Sequence, residues 1–193
     1  MMPLDKEFWE KRYHEGTTQW DIGHVSTPLK EYIDQLKDMK MRILVPGAGN
    51  GYEALYLHEQ GFDNVWVVDI ASIPLQHLQK KGFPEERLIE GDFFELTTDQ
   101  YDLILEQTFF CALPPQWRTA YVKKMHNLLK PGGKLAGLLF DFPLTDDGPP
   151  YGGDRQEYLE RFSKKFTVRK LERAYNSIRP RQGTELFFIF EKH

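Results

Sequence analysis

The segment Val45-Pro46-Gly47-Ala48-Gly49-Asn50-Gly51-Tyr52-Glu53 restricts the possible folds of this chain more than any other feature. An apolar run from Arg42 to Val45 enters a glycine-rich turn, and a helical pattern opens after it. A second apolar run, Val65 to Val68, ends on a carboxylate, Asp69. It lies about twenty residues beyond the turn, the spacing at which dinucleotide-type folds place an acid on a pair of ribose hydroxyls. Glycines let the main chain turn tightly and let a ligand lie against bare backbone. The reading is an adenosine-containing cofactor in the crevice of an α/β sheet, with Gly47, Gly49 and Asp69 among its contacts. Tyr52 stands where the dinucleotide fingerprint has its third small residue, and Glu53 puts negative charge at a helix start that would otherwise receive a pyrophosphate. Both weigh against an NAD-dependent oxidoreductase.

The rest of the chain repeats the alternation. Strands are expected near 42–46, 64–69, 86–90, 101–106, 133–141, 165–173 and 184–191, and helices near 51–60, 74–81, 115–129 and 154–163. Short apolar strands separated by helical patterns argue for a doubly wound, mostly parallel sheet with helices on both faces. The last two strands, joined by a stretch with no helical pattern (Ala174 to Gly183), read as an antiparallel hairpin at the sheet edge. Before the first strand, residues 5–14 form a helix capped by Asp5, and Ser26 or Thr27 caps a second with Pro28 at its start. Residues 1–193 are expected as one domain, with 1–40 as a helical lid segment. Aromatic residues make up 14% of the chain, and Phe8, Trp9, Tyr13 and Trp20 gather in that segment, outside any strand pattern.

Composition removes other classes. A net charge of -4 argues against a nucleic-acid partner. No apolar run approaches the length of a membrane span, and the first residues show no signal-peptide pattern. One cysteine, Cys111, allows no internal disulfide, and the six histidines show no ligand spacing, so no metal site is expected. Cys111 sits between Phe110 and Ala112 with no basic neighbour in sequence, which reads as a buried inert thiol. Ser72 is expected to cap the helix after Asp69, leaving that acid free for a ligand. Gly91-Asp92-Phe93-Phe94 follows the third strand. Asp92 and Phe93 there suit an adenine amino group and ring, and equally a turn acid beside core aromatics. Glu106, Gln107 and Thr108 end the fourth strand and are expected to point into the crevice. The Pro149-Pro150-Tyr151-Gly152-Gly153 loop follows the fifth strand, where it recognises substrate or forms a plain surface turn.

Several of these motifs, taken together, resemble the thiopurine methyltransferase family of S-adenosylmethionine-dependent enzymes, nearest its plant-type halide and thiol branch. They are the Val45–Glu53 turn, Asp69, Gly91–Phe94, and Glu106-Gln107-Thr108-Phe109-Phe110-Cys111-Ala112-Leu113-Pro114-Pro115 with Arg118. The N-terminal Phe8-Trp9-Glu10-Lys11-Arg12-Tyr13 and Gly16-Thr17-Thr18-Gln19-Trp20-Asp21, and the Gly148–Tyr151 loop, belong to the same resemblance. It implies a class I methyltransferase (Rossmann-like) fold with S-adenosyl-L-methionine as cofactor. Trp9, Tyr13 and Trp20 would close the pocket, Gly47 and Asp69 would hold the cofactor's backbone side and ribose, Asp92 and Phe93 its adenine, Gln107 its methionine part, and Arg118 the cofactor site.

Methyl transfer is an in-line displacement at a sulfonium carbon, and an acceptor that is already a thiolate, thiocyanate or halide needs no general base. Alignment and exclusion of water then carry the reaction. Aromatic faces attract a sulfonium without hydrogen-bonding to it, which suits Trp20, Phe109 and Tyr151. Tyr151 or Arg179 would orient the anion. The implied partner is a small-molecule acceptor, with a monomer in the cytoplasm expected. An aromatic thiol of thiopurine type is the alternative acceptor, and a non-catalytic cofactor-binding protein the alternative of another class.

Overall fold

A computed structural model describes residues 4–97 and 100–193. In chain order the elements are α1 (Lys6–His14), α2 (Thr27–Asp34), β1 (Ile43–Pro46), α3 (Tyr52–Glu59), β2 (Val65–Asp69), α4 (Ser72–Lys80), β3 (Leu88–Glu90) and β4 (Tyr101–Gln107). They continue with α5 (Arg118–Leu128), β5 (Leu129–Phe140), α6 (Arg155–Phe162), β6 (Phe166–Arg173) and β7 (Glu185–Lys192). The seven strands form one sheet in the order β3-β2-β1-β4-β5-β7-β6. β1 to β5 run parallel, and β7 lies antiparallel to both β5 and β6. The expected doubly wound sheet with an antiparallel hairpin at one edge is therefore present.

Alternation along the strands divides the core between the two faces. Ile43, Val45, Val65, Val67, Leu103 and Leu105 pack against Ile33, Leu57 and Leu78 of α2, α3 and α4. Leu44, Val68, Ile104 and Leu135 pack on the other face against Tyr121, Met125, Tyr158 and Phe162 of α5 and α6. Most of these side chains are fully buried, and each contributes about 1.5–3 kcal/mol over an exposed one.

Several boundaries move for identifiable reasons. The expected helix 115–129 begins as a 3-10 turn, Pro115–Trp117, and becomes α-helical at Arg118. Pro115 offers no amide hydrogen and forces Pro114 into an extended conformation. β5 starts at Leu129 rather than 133, and its register against β4 shifts between Tyr101 and Leu103 where Gly132 adopts a left-handed conformation, a bulge that absorbs Pro131-Gly132 within the strand. α4 opens at Ser72 with Ala71 as its N-cap, so Ser72 is inside the helix and does not cap it. Pro74 sits in the first turn, where a missing amide hydrogen costs nothing. Ser26 is the N-cap of α2 by backbone geometry alone, because its side chain makes no capping bond.

Candidate functional site

The carboxyl ends of β1 to β4 open into one cavity of about 700 Å³, at the point where the strand order reverses between β1 and β4. Open α/β sheets bind ligands at this position, and the volume lies in the range of small-molecule sites. The glycine turn forms its floor. Gly47 has φ of 68°, and a Cβ there would meet the ring of Phe109 at 2.6 Å. Gly51 has φ of 74°, and a Cβ there would meet Leu78 of α4 at 2.3 Å, so this glycine permits the close approach of helix and turn. Asp69, at the end of β2, lines the cavity and accepts from Ala71 N at 2.8 Å. Burial pushes its carboxyl up to about 6, against the opposing pull of the amide hydrogens of Ala71, Ala48, Gly49 and Ile70.

The N-terminal segment covers this floor. Trp9, Tyr13 and Trp20 all line the cavity, with the Trp20 ring edge-to-face on Trp9 at 5.6 Å and on Tyr13 at 5.7 Å. Burial, with the charge of Asp69, raises the Tyr13 phenol far above its ordinary range, so it stays neutral. Polar contacts tie the cover down. Glu10 accepts from Ser72 N at 3.2 Å and from Ser72 Oγ at 2.8 Å, which places a carboxylate of α1 at the N-terminus of α4. Lys6 pairs with Glu90 at the end of β3. Arg181 donates to the carbonyl of Trp20 at 2.9 Å.

At one end of the cavity, Asp92 and Phe93 follow β3 and line the wall. Asp92 accepts from Phe94 N at 2.8 Å, and the Phe93 ring lies edge-on to Phe109 at 5.1 Å. The end of β4 presents Gln107, Thr108 and Phe109. Glu106 turns the other way, contrary to expectation: successive strand residues face opposite sides, and Glu106 is fully buried beneath the turn. Gln107 Oε1 is buried without a hydrogen-bond partner. A ligand carrying a hydrogen-bond donor would satisfy this orphaned acceptor. Asp69, the Gly47–Gly51 floor and the aromatic cover fit an adenosine-sulfonium ligand in the same way.

Ten of the thirteen residues singled out in sequence line this one cavity: Trp9, Tyr13, Trp20, Gly47, Gly49, Asp69, Asp92, Phe93, Gln107 and Phe109. Arg118, Tyr151 and Arg179 do not. Arg118 is fully buried below the cavity, paired with Glu157 at 2.9 Å, donating to Gly152 O at 2.7 Å and stacked 4.6 Å from the Phe110 ring. Tyr151 is 3% exposed and folds its ring over Gly148, while its amide donates to Cys111 O at 2.9 Å. Pro149 and Pro150 of that loop reach the cavity instead. Arg179 faces solvent, and Arg181, two residues on, lines the cavity from the loop before β7. Arg181 is also 3.4 Å from Glu185 and lies over the Phe140 ring at 5.5 Å. Cys111 borders the cavity, but burial raises its thiol far above the ordinary value, so it remains protonated and unreactive. Among the described residues, no group of three histidine, cysteine or acidic side chains is arranged to hold a metal ion.

Comparison with known proteins agrees with this geometry. Residues 4–192 match the family described as Thiopurine S-methyltransferase (TPMT). The chain is 33% identical over 156 residues to a probable thiol methyltransferase 2 of Arabidopsis thaliana, covering 78% of this chain and 69% of the relative. It is 34% identical over 162 residues to thiocyanate methyltransferase 1 of the same plant, covering 79% and 69%. The chain therefore spans about two thirds of the length of these plant relatives. Its fold is similar to that of the Burkholderia thailandensis 1,6-didemethyltoxoflavin-N1-methyltransferase, whose structure contains S-adenosylhomocysteine, with a TM-score of 0.73 at 22% identity over 100% of this chain and 92% of that one. The chain belongs to the thiopurine S-methyltransferase family of S-adenosylmethionine-dependent methyltransferases.

Proposed function

We propose that this methyltransferase acts on a small anionic or thiol acceptor, namely a thiol, thiocyanate or halide, by in-line displacement. The observation that carries the reading is the order of side chains across the sheet. Asp92, Asp69, Gly47 and Gln107 follow β3, β2, β1 and β4, while Phe140 and Arg181 stand at β5 and just before β7. The polar groups suited to an adenosine cofactor thus occupy one half of the cavity. The side at β5 and β7 brings the Phe140 ring, Pro149, Pro150 and the Arg181 guanidinium to the cavity, a setting for a weakly hydrated anion or a thiolate. The plant relatives named for thiol and thiocyanate methylation support the same choice.

S-adenosylmethionine, when bound, supplies a methyl group activated by sulfonium. In this reading Asp69 accepts from the ribose hydroxyls, Asp92 and Phe93 hold the adenine, Gln107 Oε1 accepts from the methionine part, and Gly47 and Gly49 lie against the ligand. Trp9, Tyr13 and Trp20 exclude water that would solvate the nucleophile. Phe109 faces the reacting centre and Arg181 draws the anion in, the role first given to Arg179. Arg118 and Tyr151 support the wall from behind. A monomeric enzyme in a cytoplasmic compartment is part of the same proposal.

Purified protein with S-adenosylmethionine and iodide, thiocyanate, sulfide or an aromatic thiol, followed by S-adenosylhomocysteine formation, tests it. Turnover with the anions or sulfide above that with the aromatic thiol is expected. Preference for the aromatic thiol would move the acceptor to the thiopurine class. Cofactor binding without turnover on any acceptor would overturn the reading in favour of a non-catalytic binding protein.

A further inference from the structure

Beneath the cavity, outside every role assigned so far, lies a buried carboxylate. Glu106 is completely inaccessible, with no cation within bonding distance among the described residues. Its Oε1 accepts from two consecutive amides, Phe109 N at 2.8 Å and Phe110 N at 2.9 Å, and its Oε2 accepts from the Tyr121 phenol of α5. A charge carried into an apolar core at this cost is retained where it fixes a conformation the chain would not otherwise hold.

That conformation is next to it. Thr108, the residue bridged by the Glu106 carboxylate, has φ of 56°, and it is the sole non-glycine residue with positive φ among the described residues. A β-branched residue there is strained, and the strain persists only when its surroundings over-determine it. The turn delivers three side chains to the cavity: Gln107 with its orphaned acceptor, Thr108, and Phe109, whose ring packs against the glycine floor at Gly47. We propose that Glu106 is a positioning residue for methyl transfer, its carboxylate locking the left-handed turn at Thr108 and so setting Gln107 and Phe109 against the reacting groups.

The inference rests on the methyl-transfer reading for its kinetic consequence, though not for its structural one. Burial pushes the Glu106 carboxyl up to about 7. The groups that face it are the Tyr121 phenol and, more distantly, the Cys111 thiol, both raised by burial and by the carboxylate itself. Arg118 and Arg181 act on Cys111 from the opposite direction. Protonation removes the charge that strengthens the two amide bonds to Oε1 and makes Oε2 a donor, so both amide bonds weaken and the Tyr121 hydroxyl must turn to accept.

Glu106→Gln keeps the volume and one acceptor oxygen, and it removes the charge. In this variant kcat at saturating cofactor and acceptor should fall about 10- to 100-fold, the effect of a misplacement of about 1 Å at a reacting centre. The dissociation constant for S-adenosylhomocysteine should rise by no more than about fivefold, the worth of the Gln107 contact, well short of the fall in kcat, and the acid limb of the kcat–pH profile near 7 should vanish. Glu106→Asp, with the same charge on a shorter arm, should recover part of the rate. An unchanged kcat, or an acid limb that survives in Glu106→Gln, overturns the proposal.

A crystal structure of Glu106→Gln with S-adenosylhomocysteine gives a result independent of turnover. Thr108 should leave the left-handed region and Phe109 should move from Gly47 by more than about 0.5 Å. Retention of both within that limit overturns the proposal even if no acceptor is found. Absence of turnover in the unmodified protein would instead count against the methyl-transfer reading alone.

Discussion

Asp69 carries a testable conflict between folding and binding. Its carboxyl rises from 3.8 to about 6 because the closed cavity strips its water, and four amide hydrogens offset only part of that loss. The rise corresponds to about 3 kcal/mol. A carboxyl whose folded value lies above its unfolded one stabilises the fold while protonated, and that stability drains away as pH climbs through about 6. The ligand-free protein should therefore lose up to about 3 kcal/mol between pH 4 and pH 7 from this group. Asp69→Asn, which keeps an oxygen for Ala71 N, should remove that slope and raise the thermal midpoint of the empty protein at pH 8. Cofactor binding runs the other way. Only the ionised carboxylate accepts from two hydroxyls at once, so affinity should weaken about tenfold between pH 7 and pH 5. Calorimetric titration with S-adenosylhomocysteine at those two pH values, in buffers of different ionisation enthalpy, reads both the affinity and the proton released. A flat affinity over this range in the unmodified protein, or the same slope in Asp69→Asn, would refute the assignment of Asp69 as the ribose acceptor.

Three further outcomes are expected. Arg118→Ala removes one of the two guanidinium partners of Glu157, leaving Arg161 at 2.7 Å, and frees Gly152 O beneath the cavity; it should lower unfolding free energy by about 2–3 kcal/mol in a denaturant titration, through the lost hydrogen bonds and packing of the buried side chain, while leaving ligand affinity of the folded fraction unchanged; loss of affinity without loss of stability would return Arg118 to the cofactor site. Cys111→Ala should retain activity, and Cys111 in the native protein should resist iodoacetamide until denaturant is added, because its thiol is held protonated. Glu10→Ala releases α1 from Ser72, and should weaken S-adenosylhomocysteine binding about fivefold, the worth of one ordinary hydrogen bond, with faster trypsin cleavage within residues 11–24.

The fold was legible because its signals are local. The Val45–Glu53 turn, the period-two strands and Asp69 each carry their meaning within a few residues, and the cavity assembles where the sequence puts those strand ends. What failed depended on distance or direction. Arg118 looks like a free cation in sequence, but its partners Gly152 and Glu157 lie 34 and 39 residues away, and only the packed α5 and α6 make it a buried strut. Arg179 and Arg181 share one 3-10 turn, and nothing in Arg-Pro-Arg tells which guanidinium faces inward. Tyr151 stands in a loop that follows the fifth strand, where an aromatic side chain would meet a sulfonium, but its ring packs over Gly148 instead. Glu106 was the recoverable error: alternation alone says that Glu106 and Gln107 cannot both face the crevice. The contact of Glu10 with Ser72 joins segments 62 residues apart and has no sequence signature.

The position of β7 between β5 and β6 bears on how the chain acquires its structure as it is made. β6 leaves the ribosome before β7, yet β7 is its sole strand neighbour, so β6 has nothing to pair with until the later strand arrives. Phe188 and Phe190, fully buried on β7, complete the half of the core that α5 and α6 cover. Synthesis therefore passes through a stage in which the parallel part of the sheet has an open edge at β5 and an unpartnered β6, the kind of surface that chaperones hold and that neighbouring chains can capture. A released chain truncated before Glu185 should be bound by such holding factors, whereas the chain that includes β7 should not.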